Sequence, residues 1–103
     1  MTTIEIIQSI GDEALWTQLA EEAAELSQAA SKVARSIHGT NPLASGMTRG
    51  DCISEAVEEY TDVYNVAQIL NLAVDKGILR YKRNRWVSRI MGKGSLNKKS
   101  DIS

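Results

Sequence analysis

Apolar positions recur along this chain in steps of three and four. Leu15, Leu19, Leu26, Ala29, Val33 and Ile37 follow that rhythm between Asp12 and His38, a stretch without Gly or Pro. The spacing predicts one amphipathic helix of about 27 residues. A second series, Ala56, Val63, Val66, Leu70 and Ala73, predicts another long helix over 52–75, with Thr48 or Asp51 as its N-cap. Lys76-Gly77 reads as its stop. Asp75 can cap a further helix over 78–91, ended by Gly92. Thr2 and Glu5 have capping-box spacing, so a short helix over 3–10 precedes Gly11. Residues 39–50, with three Gly and the only Pro, read as a loop, and the polar residues from 93 to 103 as a disordered tail. No alternating strand pattern stands out. The expected fold is all-α: an antiparallel bundle of two long and one or two shorter helices in a single domain over 1–92.

Two positions break the apolar rhythm with acids. Glu22 stands where a core residue belongs on the first long helix, and Glu59 does so on the second. Each has a carboxylate three residues on, Glu25 and Asp62, on nearly the same face. Two helices thus aim an acidic pair at the surface where they should meet. Four charges there repel and lose hydration, a cost that a cation relieves. Mg²⁺ favours hard oxygen ligands, and four carboxylates suggest more than one ion or one shared with a phosphate-bearing substrate. The plainer reading is a set of solvated helix acids, which suits Glu21, Glu55 and Glu58.

Charge is divided along the chain. Residues 1–75 carry twelve Asp/Glu against three Lys/Arg, while residues 76–103 carry nine Lys/Arg against one acid, giving a net charge of −1. Lys82, Arg85 and Arg89 share a helical face and form a row able to hold phosphates. A solvated face is the simpler account of that row taken alone. The N-terminus lacks the character of a secretory signal and no segment is apolar enough to span a membrane, so a cytoplasmic protein is expected. A single cysteine, Cys52, excludes an internal disulfide and reads as a structural thiol.

Glu22-x-x-Glu25 followed by Glu59-x-x-Asp62 resembles the signature of the MazG-like nucleotide pyrophosphohydrolases, the all-α NTP pyrophosphatases. QLAEEAAELSQAASKVARSIHGTNP at 18–42, SEAVEEYTDV at 54–63 and YKRNRWVSRI at 81–90 look like successive segments of small single-domain members. The resemblance covers roughly residues 10–91. It implies a helix bundle completed by dimerisation, in some members extended to a tetramer. It implies Mg²⁺, with Mn²⁺ as a substitute, held by Glu22, Glu25, Glu59 and Asp62. It also implies hydrolysis of a nucleoside triphosphate to a monophosphate and pyrophosphate, in a house-cleaning role. Which acid acts as base is left open. Lys82, Arg85, Arg89 and Lys32 would contact phosphates. Trp16 is a candidate base contact, although core or interface packing is its simpler reading, and Asn65 is a candidate support for the site. The 33 residues between Glu25 and Glu59 and the polar Thr61 depart from the compact members.

Two rivals stand beside this expectation. One is a dedicated dUTP or dCTP pyrophosphatase. The other is a non-catalytic helical dimer that binds a protein or nucleic acid through residues 76–99. The second leaves the acids in the apolar series without a purpose and ranks behind the enzyme reading, so a nucleic-acid partner is not expected.

Overall fold

A computed structural model describes residues 1–38 and 46–94. Four helices and no strand occur among them: α1 (Thr3–Gln8), α2 (Asp12–His38), α3 (Arg49–Ile69) and α4 (Lys76–Gly94). Most of the expected loop, 39–45, and the tail from 95 lie outside the described residues. No described helix is long and apolar enough to cross a membrane.

Local chemistry accounts for the helix ends. At α1 the Thr2 hydroxyl accepts from Glu5 N, and Glu5 Oε1 accepts from Thr2 N at 2.7 Å, satisfying two otherwise orphan donors. Gly11, at φ +100°, occupies a backbone region open to glycine and separates α1 from α2. Thr48 and Asp51, the two candidate caps of α3, act together in a second capping box.

The C-terminus of α3 differs from expectation. The helix ends at Ile69, well before Lys76-Gly77, so Leu70 and Ala73 fall outside it. Asn71 adopts φ 62°, with Asn71 N bonded to Gln68 O and Leu72 N to Ala67 O, both at 2.9 Å. This is a Schellman closure, with asparagine filling the position that glycine usually takes. α4 starts earlier than 78 and runs through Gly92. Asp75 caps it as expected, accepting from Ile78 N at 2.9 Å.

The chain divides into two compact units, Met1–Leu72 and Ala73–Ser103. In the first, α2 packs along α3, and α1 is tied to the end of α3 by Gln8 Nε2 donating to Ile69 O at 3.0 Å. Leu15, Ala29, Cys52, Val66 and Ile69 are buried, and the Cys52 thiol is free. Two of these five are small, which lets the helix backbones approach closely. Beside this core lies an apolar groove of about 440 Å³ lined by Leu26, Ala30, Val33, Ile53, Ala56, Val57 and Tyr60. Ile53, Val57 and Tyr60 are each about half exposed.

The second unit is described by α4. Its geometry puts Lys82, Arg85 and Arg89 on one face, as their spacing predicts. The Arg85 guanidinium lies 5.6 Å from the Tyr81 ring centroid. Trp86, Val87 and Ile90 are exposed.

The capping analysis yields a stability prediction. Thr48→Ala removes the hydroxyl that accepts from Asp51 N and should lower unfolding stability by about 1 kcal/mol. Urea denaturation followed by circular dichroism measures it, and an unchanged midpoint would remove the cap from the account.

Candidate metal centre

Glu22 and Glu25 lie three apart on α2, and Glu59 reaches them from α3. One carboxylate oxygen from each lies within 4.8 Å of the others. Two of these positions are the acids that interrupt the apolar series, so helix packing itself brings them together. Asp62 stays outside this group and is exposed, although its charge is near enough to act on Glu59.

Glu59 carries the cost of this arrangement. Its Oε2 atom is shut off from solvent and has no hydrogen-bond partner. Burial pushes the Glu59 carboxyl above its ordinary value, as does the close approach of Glu25, which favours a shared proton. The charges of Glu25, Asp62 and Glu22 act in the same direction. Glu22 is better served, since Gln18 Nε2 donates to its Oε2 at 2.6 Å. That amide, one turn before Glu22, has no distinguishing signal in the sequence.

The donor set suits a hard divalent cation. Ligands on opposite sides of a Mg²⁺ ion stand about 4.2 Å apart, twice the metal–oxygen bond. Small side-chain shifts would therefore close these oxygens on an ion. The orphaned Glu59 Oε2 is an acceptor that such an ion would satisfy.

A cleft of about 280 Å³ adjoins the acids, lined by Glu25, Gln28, Ala29, Lys32, Glu55 and Glu59. Lys32, the expected phosphate contact, is here, with its Nζ donating to Glu55 Oε1 at 3.0 Å. Both side chains are 37% exposed, so the pair contributes no more than about 1 kcal/mol. By sequence Glu55 reads as one of the solvated helix acids, and Gln28 carries no distinguishing signal. Each groove residue Leu26, Ala30, Val33, Ala56 and Tyr60 follows a cleft residue by one position. A step of about 100° around the helix therefore separates the polar cleft from the apolar groove.

Trp16 and Asn65 are not among the residues lining the cleft. Trp16 is half exposed, and Asn65 is exposed. Thr61 settles its hydroxyl on Val57 O at 2.7 Å, so this polar neighbour of Asp62 burdens no buried surface. Lys82, Arg85 and Arg89 belong to the second unit. Comparison with protein-family models, curated proteins and solved structures finds no match.

The state of Glu59 sets a pH dependence. A carboxyl whose folded pKa is raised holds its proton more tightly in the folded protein. Its contribution to stability is full below the ordinary value of 4.5 and is lost as pH rises from there through the folded pKa. Without divalent metal, the difference in melting temperature between Glu59→Gln and wild type should therefore grow in favour of the variant from pH 4.5 towards neutrality. Scans of both proteins in chelator measure it, and a pH-independent difference would refute the strained carboxyl.

Proposed function

We propose that this chain is a Mg²⁺-dependent nucleotide pyrophosphohydrolase. Its substrates are non-standard or surplus (deoxy)nucleoside triphosphates, which it cleaves between the α and β phosphates. The observation that carries the reading is the convergence of Glu22, Glu25 and Glu59 from two helices, with Glu59 Oε2 unpartnered. The resemblance of the four acids and their flanking segments to the MazG-like enzymes supplies the reaction. Glu22, Glu25 and Glu59 hold the ion, and Asp62 remains as a further ligand or as the acceptor of the attacking water's proton. Bound there, a divalent ion supplies charge neutralisation and Lewis acidity for attack on phosphorus. Lys32 offers a cation at the far end of the same cleft, while Lys82, Arg85 and Arg89 offer a row able to contact phosphates. The base pocket is not assigned: Trp16 and Asn65 stay candidates, and a dUTP- or dCTP-specific enzyme is the nearest alternative.

The proposed architecture is an antiparallel bundle completed by a second copy. The pairings support the first part, because Lys32 meets Glu55 whereas the earlier Glu25 meets the later Glu59. The open groove supports the second. Both helices contribute to it, so two copies face to face would cover the same residues on each. A cytoplasmic setting completes the proposal. The rival of an inert binding dimer draws only on the basic face and exposed apolar side chains of α4.

Wild-type protein incubated with Mg²⁺ and a panel of nucleoside triphosphates should release pyrophosphate and the matching monophosphate, and lose this activity on chelation. Glu59→Gln should reduce turnover by about a hundredfold or more with helix content unchanged. Full activity in the folded variant, or no product from wild type with any nucleotide, contradicts the reading. Sedimentation at micromolar concentration should give a dimer or larger assembly, and a monomer would count against the shared groove.

A further inference from the structure

Among the residues lining the cleft, Lys32 is the only cation, and it shares that cleft with three acids. Lys32 follows Glu25 by seven residues, two turns along the same side of α2. Glu55 precedes Glu59 by four, one turn along α3. The ammonium is a compact charge on a flexible stem. Without Glu55, the acids left lining the cleft with Lys32 are Glu25 and Glu59, two of the three-acid group. There it would neutralise the site that the ion is to fill. Glu55 instead draws Lys32 aside, at 3.0 Å. The pair is open to water on both sides, so it is weak enough to be exchanged.

We infer that Glu55 is a displaceable counter-ion for Lys32: it keeps the ammonium out of the three-acid group, and a phosphate entering the cleft takes its place. A phosphate carries more charge than a carboxylate and offers more acceptor oxygens, so the exchange favours the ligand once it is delivered. Glu55 opposes binding by competing with the phosphate for the Lys32 ammonium, so its effect acts through Lys32. Glu55 is thus a positioning residue rather than a catalytic one. The inference rests on the pyrophosphohydrolase reading for the ion that lets a phosphate approach the acids.

The test is calorimetric, with inorganic pyrophosphate and Mn²⁺ as the probe. Mn²⁺ alone is titrated into wild type first. Pyrophosphate with Mn²⁺ is then titrated into wild type, Glu55→Gln, Lys32→Met and the double variant. Glu55→Gln should bind pyrophosphate about three- to fivefold tighter, the equivalent of releasing an exposed ion pair. Lys32→Met should bind it about tenfold more weakly, as loss of a charge-assisted hydrogen bond implies. In the Lys32→Met background the gain from Glu55→Gln should vanish, because the two residues act as one unit. A gain that persists there means that removing a negative charge is sufficient, and overturns the exchange. No gain in Glu55→Gln, or no loss in Lys32→Met, overturns it as well while Mn²⁺ binding leaves the metal centre standing. Failure of Mn²⁺ alone to bind wild type brings down both the metal centre and the exchange.

Discussion

Three carboxylates from two helices, gathered within 4.8 Å, are the constraint around which the α2–α3 pair is built. Apolar residues at positions 22 and 59 would have extended the α2–α3 contact. Acids there give up that burial and add repulsion and desolvation. The helices can sustain this because Leu15, Ala29, Cys52, Val66 and Ile69 hold them together on either side. Burial and the neighbouring carboxylates together push the Glu59 carboxyl above its ordinary value. A proton relieves the strain at low pH, and in the proposed function a divalent ion relieves it near neutrality.

The polar cleft and the apolar groove follow from the same two helices. One step in sequence turns a cleft residue into a groove residue, so α2 and α3 present an acid-lined side and an apolar side together. In the proposed function the acid side serves a divalent cation and a phosphate-bearing ligand. The apolar side, with Ile53, Val57 and Tyr60 half exposed, is in the same proposal covered by a second copy. A two-helix layer with five buried residues has a small core, so in this proposal assembly and site chemistry share one pair of helices.

Much of this was legible in the sequence, for reasons that differ by residue. Glu22 and Glu59 stood out because they violated a period that their neighbours obeyed. Thr48 stood out because capping chemistry is local. The end of α3 did not, since the apolar series continues through Leu70 and Ala73 while Asn71 closes the helix by a backbone turn that periodicity does not register. Asp62 seemed equivalent to Glu25 by spacing alone. Yet Asp62 has from Glu59 the offset that Glu25 has from Glu22; its side chain is one methylene shorter, and its oxygens lie outside the group. The Lys32–Glu55 pair and the Gln18 amide on Glu22 depend on side-chain contacts within and between helices, and no pattern along the chain announces them.

The central claim is that Glu22, Glu25 and Glu59 form a cation site. Its most direct test is a crystal grown with Mn²⁺ and measured at the manganese absorption edge. The account predicts an anomalous peak among these three side chains, about 2.1 Å from their carboxylate oxygens. Three well-ordered carboxylates with no peak between them, or a peak only at other acids, would contradict it.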